Sequence, residues 1–344
     1  MDRKKGLDFV RAVSAIGIIV FHFYCHSSSA HKLFYAHANG AWGGVLNYLF
    51  FALSGLVIQL KYGPQKKLDL RSFYYKRWKA MMPAYLVVFL YAFSMNVFTY
   101  GKIFYMDIPK SRLLLTLIGM DGYVSWTKPT YFITGEWFLG AILIAYAVYP
   151  LLRCIMNSSC RYIKYITLFV MAGLYAIVLR VNFWDLPSAV NPVTCLLCFF
   201  VGMLMATKFQ YMKKTGVIVA AIIVAAFLLV VPVGGSNITK EMLIGWSLLI
   251  LLYNVGEVIC RYKPFERVVS MVSGLTYPTF LLHHSIIYKV LGGFDTVSTI
   301  RSFVVLIVVI VVTLVFSWIL DIFMKKILKS SVFMKLECVI TKKC

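Results

Sequence analysis

Two ionisable side chains, Arg11 and His22, lie within the first apolar run of the sequence, which extends from Val10 to Tyr24. On an α-helix, residues at this spacing return to within about 20° of one face and lie about 16 Å apart along the axis. Ionisable groups inside a membrane-spanning helix are costly and usually serve function. The spacing therefore predicts that both line one lumen, with Asp8 placed to pair with Arg11 at i, i+3. A structural alternative makes His22 a hydrogen-bonding partner of a neighbouring helix and Arg11 a snorkelling anchor.

The histidines near the end of this run suggest a second chemistry, metal binding. His26 follows His22 at i+4 and falls near the same stripe of the helix. Such a pair can hold a metal ion if a further ligand is supplied, here by His31 or His37. The sequence contains neither an H-E-x-x-H motif nor a carboxylate near these histidines. We therefore expect no metal.

A third candidate is the cluster of basic residues that precedes the apolar run Ala80–Thr99 and includes Lys76, Arg77 and Lys79. It is predicted to be a cytoplasmic loop before a helix, with Pro83 able to reshape the first turns. Arginine and lysine at the mouth of a cavity would bind a polyphosphate head group. Binding of anionic lipid is an equally good interpretation of the same residues.

Two further segments carry polar groups into apolar runs. Glu136 and Trp137 open one run, where the tryptophan is also typical of a membrane-interface belt. His283 and His284 follow Pro278 in another run. Because successive residues do not share a helix face, at most one of these histidines is expected to line the same cavity as His22.

The composition indicates what kind of structure carries these residues. Of 344 residues, 61% are apolar and only 14% are charged, against about 45–50% and 25% in soluble domains. A soluble core cannot absorb this excess, so a polytopic membrane protein is predicted. Ten apolar runs are candidate spans: Val10–Tyr24, Trp42–Leu60, Ala80–Thr99, Glu136–Leu152, Tyr165–Arg180, Val190–Thr207, Gly216–Val233, Met242–Cys260, Val269–Leu291 and Ser302–Met324.

The charge pattern predicts how these runs cross the membrane. The net charge of +22 would suggest nucleic acid in a soluble protein, but in a membrane protein it reports the positive-inside rule, and no nucleic-acid partner is expected. Ten crossings place all the basic clusters on one side and both termini in the cytoplasm: Arg3–Lys5, Lys61–Lys79, Arg153–Lys164, Lys208–Lys214, Arg261–Arg267 and Lys325–Lys343. Arg11 and His22 also argue against a cleavable signal peptide at the first run, since its apolar region is normally uncharged.

The expected fold class is therefore all-α, with one membrane domain over residues 1–324 and a basic cytoplasmic tail over 325–344. The apolar stretch Arg112–Met120 is too short to span, so it is predicted to be part of a re-entrant or interfacial segment within 101–135. That connection, with Asp107 and Asp121, and the connection 25–41 are candidates to line an external opening. The eight cysteines show no disulfide or metal spacing.

Five segments together give the chain a family resemblance. They extend from residue 7 to residue 283, and their order along the chain is that of one protein family. The segments are Leu7-Asp8-x-x-Arg11-Ala12 with His22, Phe50–Leu56, Phe73–Tyr85, Trp137–Leu151 and Thr276–His283. The sequence resembles membrane acyltransferase family 3 in its short, stand-alone form, whose members O-acylate bacterial surface glycans. It departs from the family pattern at Lys76 and Ala80, where the family has arginines.

The resemblance implies transfer of an acyl group, typically acetyl from cytoplasmic acetyl-CoA, to a hydroxyl of a cell-surface or lipid-linked glycan at the bacterial cell membrane. His22 would be the general base. The residues expected to bind CoA phosphates are Arg11, Lys76, Arg77 and Lys79. The residues expected to support the site are Asp8, Ser54, Glu136, Trp137, Tyr277 and His283. Both direct transfer and an acyl-histidine intermediate are chemically open, and direct transfer is preferred.

A function of another class fits several of the same features. A transporter or flippase for a lipid-linked glycan also has many helices, intramembrane Arg and His, and segments interrupted near Pro83 and Pro278. No inverted repeat is apparent in the sequence. The order of the motifs favours the enzyme.

Overall fold

The computed structural model describes residues 4–29, 31–101, 108–131, 134, 136–181, 183–294 and 296–341. Arg3, Asp107 and Lys343, named above, lie outside these residues. The described chain is almost entirely helical, with fourteen α-helices: α1 Lys5–His26, α2 Trp42–Tyr62, α3 Leu70–Tyr100, α4 Leu113–Leu117, α5 Asp121–Val124, α6 Glu136–Met156, α7 Ile163–Val178, α8 Pro192–Thr207, α9 Thr215–Val230, α10 Asn237–Ile259, α11 Lys263–Gly274, α12 Thr276–Leu291, α13 Thr299–Leu328 and α14 Ser331–Thr341.

Each of the ten predicted apolar runs overlaps at least one of these helices. Six of them are long and apolar enough to cross a membrane, namely α1, α2, α3, α6, α10 and α13. Helices α7, α8 and α9 are also apolar but have 16 residues each. The chain is therefore an all-α, multi-pass membrane protein. Ten crossings and the cytoplasmic position of both termini stay predictions.

Two predicted boundaries are wrong. Helix α3 begins at Leu70, with the Asp69 side chain accepting a hydrogen bond from the Ser72 amide at 3.2 Å, so the basic cluster is helical rather than a loop. The run Val269–Leu291 divides at Leu275 into α11 and α12. Charged residues on one side of α11 make it amphipathic, whereas α12 continues with apolar residues.

The connection between α3 and α6 contains only short helical segments where it is described. Helix α4 has five residues and α5 has four, far fewer than the roughly 20 that a membrane crossing needs. The sequence-based expectation that Arg112–Met120 does not span agrees with these lengths.

Helices α2 and α8 cross closely because each contributes a glycine to the contact. A Cβ atom at Gly55 would overlap the carbonyl oxygen of Phe199, and one at Gly202 would overlap that of Ala52. Small residues at such crossings let backbones approach closely in membrane proteins. Helices α2 and α8 therefore pack backbone against backbone.

A two-stranded antiparallel hairpin, β1 Ala36–His37 and β2 Gly40–Ala41, connects α1 to α2. The Asn39 side chain donates to the carbonyl oxygens of Leu228 and Val231 at 2.6 and 2.7 Å. The Ala41 amide donates to the Glu241 carboxylate at 2.8 Å. These bonds fix the connection against the ends of α9 and α10.

Candidate active site

A cavity of about 390 Å³ lies between α1, α2, α3, α6, α11 and α12. Ligand pockets typically occupy about 300–1,000 Å³. Its walls are mainly apolar, with a small set of polar and ionisable side chains. These are Arg11, His22, Asn47, Ser54, Lys61, Tyr62, Arg77, Tyr146, Ser273, Thr276, Tyr277, Thr279 and His283.

Helix α1 presents one continuous stripe to this cavity, from Arg11 through Ala15 and Ile18 to His22. The intervals of four, three and four residues follow the helical repeat, so the predicted common face of Arg11 and His22 is present. The buried Asp8 carboxylate accepts from Arg11 at 2.9 Å and from the Ser273 hydroxyl at 3.1 Å. This pairing holds the guanidinium at one end of the stripe.

Helix α2 contributes three polar side chains at intervals of seven residues, Asn47, Ser54 and Lys61. Only Ser54 was predicted as a site residue; Lys61 was assigned to a cytoplasmic basic cluster and Asn47 was missed. A heptad spacing returns to nearly one helix face, so polar residues at this interval in an otherwise apolar run were the available signal. The exposed Lys61 marks the mouth of the cavity.

Helix α3 brings Arg77 into the cavity. Its guanidinium lies 5.6 Å from the ring centre of Tyr146 and 5.9 Å from that of Tyr62. These distances are typical of cation–π contacts. Within the described chain, the buried Nε–H of Arg77 has no hydrogen-bond acceptor. A guanidinium that lines a cavity and retains an unused donor is suited to binding an anion.

Lys76 and Lys79, also expected to bind phosphate, do not line the cavity. Lys76 is exposed, and the Lys79 ammonium pairs with the Glu337 carboxylate of α14 at 2.5 Å. The physical reason is that the segment is helical. Successive side chains on a helix diverge by about 100°, so the residues of this cluster cannot all turn towards one ligand.

Helix α12 places two imidazoles against His22. The ring centre of His22 lies 5.1 Å from that of His283 and 4.2 Å from that of His284. Of the two, His283 lines the cavity, in agreement with the expectation that at most one would. His283 Nδ1 lies 2.8 Å from the Phe280 carbonyl oxygen, which can only accept, so this nitrogen carries the proton.

The other residues expected to support the site differ in whether they line the cavity. Tyr277 lines the cavity, and its hydroxyl donates to the Met81 carbonyl oxygen at 3.0 Å, tying α12 to α3. Trp137 is not among the lining residues and stacks on Phe51 with ring centres 6.2 Å apart. Glu136 begins α6, but its side chain lies outside the described part of the structure.

Neither long connection contributes to the cavity wall among the described residues. Asp121 is buried against α3, where it accepts from the Tyr85 hydroxyl at 3.3 Å, and burial raises the pKa of its carboxyl. His26 lies 3.2 Å from the Tyr288 hydroxyl. In the hairpin, His37 Nδ1 accepts from the Asn39 amide at 3.3 Å, and burial lowers the pKa of His37.

The cavity therefore joins a cationic end, formed by Arg11, Lys61 and Arg77, to an imidazole end at His22 and His283. The helical rise places Arg11 and His22 about 16 Å apart along α1. An anionic ligand at one end and a proton acceptor at the other suit the transfer of a group carried on an extended, phosphorylated molecule.

Comparison with known proteins identifies the family. A family model described as an acyltransferase domain, that of acyltransferase family 3, matches residues 4–322. The match includes every residue that lines the cavity. Neither the curated proteins nor the solved structures contain a significant match to the chain. On the extent of the family match and the apolar helices, the chain belongs to acyltransferase family 3 and is a multi-pass membrane acyltransferase.

Proposed function

We propose that the protein transfers an acyl group, most simply acetyl, from cytoplasmic acyl-CoA to a hydroxyl of a cell-surface or lipid-linked glycan at the bacterial cell membrane. One observation carries the proposal. A single cavity contains both the cationic groups of Arg11, Lys61 and Arg77 and the imidazole of His22.

The donor would bind with its phosphates at the cationic end. Arg77 lines the cavity and has one guanidinium donor, Nε–H, without an acceptor in the described structure, and Lys61 is exposed at the mouth. Arg11 is held in place by Asp8 but its side chain is not fully buried. The phosphates of CoA are strong acceptors for such groups. From there the extended pantetheine arm would pass along the α1 stripe towards His22.

His22 would act as general base at the other end. Its imidazole takes the proton of the acceptor hydroxyl as the hydroxyl oxygen attacks the thioester carbonyl carbon. The tetrahedral intermediate then collapses, the carbon–sulfur bond breaks, and the imidazolium returns the proton to the CoA sulfur. The products are an O-acyl ester and CoA thiol, so atoms and charge balance.

Polar groups on α2 would stabilise the intermediate. Asn47 and Ser54 line the same cavity as His22, and an amide or hydroxyl donor aimed at a developing oxyanion is worth roughly 2.7–4 kcal/mol when preorganised. Direct transfer needs no second activated nucleophile. It is therefore the simpler mechanism for a cavity in which His22 already serves as the base.

Substitution of His22 by Gln tests the proposed base. Loss of a general base typically lowers the rate by about 10²–10⁴-fold, and the expected result is loss of glycan O-acetylation, measured by mass spectrometry. His31→Gln is the matched control, because His31 is exposed and lies outside the cavity wall. Full acetylation by a membrane-inserted His22→Gln protein would contradict the assignment.

Release of CoA thiol tests the class of function. Purified wild-type protein, acetyl-CoA and a glycan acceptor should give thiol in proportion to ester formed, because the reaction breaks one carbon–sulfur bond per acyl group. A flippase for lipid-linked glycan would release none. Acceptor movement without thiol release would therefore favour transport.

A further inference from the structure

We propose that His22, His283 and His284 form a binding site for a divalent transition-metal ion of the Zn²⁺ type. One ligand nitrogen from each imidazole lies within 4.8 Å of the other two. The three ring centres are separated by 4.2–5.1 Å. Three imidazoles with an open fourth position form a typical zinc site.

The orientation of His283 supports a ligand role. Its Nδ1–H donates to the Phe280 carbonyl oxygen at 2.8 Å, so Nε2 carries the lone pair. Histidines that bind metal almost always donate their other ring N–H to a carboxylate, a carbonyl oxygen or water. The backbone of α12 thus fixes the tautomer and ring orientation of this buried side chain.

Two adjacent histidines can serve one ion here because the three rings form a compact triangle, in which the ring centres of His283 and His284 are 4.4 Å apart. His283 and His284 point about 100° apart on α12, and the ring of His22 on the packed helix α1 contacts both. Tetrahedral zinc with Zn–N bonds of about 2.0–2.1 Å needs ligand nitrogens roughly 3.4 Å apart. The ligand nitrogens lie within 4.8 Å of one another, and rotation of the imidazole side chains would bring them to this separation.

The ligand set also selects the kind of ion. Imidazole nitrogen suits Zn²⁺, Co²⁺, Ni²⁺ and Cu²⁺, whereas Mg²⁺ and Ca²⁺ prefer oxygen ligands. Because His22 and His283 line the cavity, the fourth coordination position faces the cavity, where water would complete the site.

Bound metal and acyl transfer would exclude each other. The metal takes the lone pair with which His22 accepts the proton of the acceptor. Zinc is therefore expected to inhibit transfer, and only this consequence rests on the proposed function. Metal binding itself depends on the three imidazoles alone.

The direct test is calorimetric titration of Zn²⁺ into the full-length, chelator-treated protein in detergent. His284→Asn should weaken the wild-type affinity by more than the 10–100-fold that loss of an outer-shell partner costs. His31→Asn, an exposed histidine outside the cluster, should retain it. Melting temperatures of both variants in detergent establish that they are folded. Equal affinity in wild type and His284→Asn, or no zinc binding by the wild type, would overturn the site.

Two further measurements separate this proposal from the enzymatic one. Co²⁺ at the site should give the visible d–d absorption of a tetrahedral nitrogen-ligated ion, lost in His284→Asn and kept in His31→Asn. Thiol release from acetyl-CoA is measured on the same samples without metal. Zinc binding without thiol release would sink the proposed function alone, while thiol release without zinc binding would sink the metal site alone.

Discussion

The Arg77 side chain lines the cavity, and its buried Nε–H has no acceptor in the described structure. A buried donor left without a partner costs about 1–3 kcal/mol. The neighbouring rings of Tyr62 and Tyr146 offset part of that cost through cation–π contact. Such a group is preorganised for an anionic ligand, at some expense to the stability of the protein without one.

Arg77→Ala should raise the KM for acetyl-CoA with little effect on folding. A hydrogen bond to a charged group contributes about 1.5–3 kcal/mol, which corresponds to a rise of roughly 10- to 150-fold in KM. Arg77→Lys should recover only part of this, because an ammonium lacks the planar fork of a guanidinium. Initial rates at varied acetyl-CoA give the values.

Arg71→Ala is the matched control, since Arg71 lies on the same helix α3 but is exposed and outside the cavity wall. Its KM should equal that of the wild type. A comparable rise in KM for Arg71→Ala would mean that the donor approaches along the outer face of α3 and not through the cavity.

At the scale of elements, the crossing of α2 and α8 positions the polar wall of the cavity. Gly55 sits at this crossing and directly follows Ser54, a cavity residue. Any side chain at Gly55 must push the two backbones apart, because the atom it meets is a carbonyl oxygen. The geometry of Asn47, Ser54 and Lys61 therefore depends on a residue with no side chain.

Gly55→Ala is accordingly expected to lower the melting temperature of the protein in detergent and to reduce acyl transfer together. Overpacking of this kind costs about 1–3 kcal/mol or more. Gly173→Ala, on α7, supplies the comparison, because a Cβ atom there meets no other atom within 4 Å. That change should be neutral or stabilise by roughly 0.5–1 kcal/mol through helix propensity. Equal melting temperatures for both variants would argue against the close crossing.

Helix α14 packs against α3 and pairs with one of its lysines. Glu337 pairs with Lys79 at 2.5 Å, and the Tyr75 hydroxyl donates to the Phe333 carbonyl oxygen at 3.5 Å. Both members of the ion pair are partly exposed, and such pairs contribute about 0–1 kcal/mol. The pair gives the Lys79 ammonium a partner away from the cavity and adds little to the stability of the fold.

At the scale of the whole molecule, topology determines which side of the membrane supplies the donor. The basic clusters between alternate apolar runs predict that the connection from α6 to α7 is cytoplasmic. This connection carries two exposed free cysteines, Cys154 at the end of α6 and Cys160 beyond it. In this predicted topology the cationic mouth of the cavity faces the cytoplasm, where the proposed acyl-CoA donor would bind.

Labelling of Cys160 as the single cysteine tests this topology. A membrane-impermeant maleimide should modify it only after the cells are permeabilised. A cysteine introduced as His31→Cys in the connection between α1 and α2 should react in intact cells, since that connection is predicted to lie on the other side. Labelling of Cys160 in intact cells would reverse the orientation and place the cationic mouth outside.

The membrane character of the chain, the positions of most helices and the common face of Arg11 and His22 were all predictable from the sequence. These properties are local. Apolar length determines whether a segment is a candidate span, and the helical repeat determines which residues of one helix share a face. For the same reason the stripe from Arg11 to His22 required no knowledge of any other helix.

Which helix faces meet could be learned only from the packing of the helices against one another. In the folded chain Arg77 lines the cavity, whereas Lys76 and Lys79 do not. Lys61 lies at the cavity mouth, and His283 and His284 lie against His22. Residues 22 and 283 are far apart in the sequence, and their contact depends on how α1 and α12 pack. Packing is set by the fit of side chains and by glycine-mediated close approach between helices. Both depend on two helices together, so the sequence of one helix does not determine them.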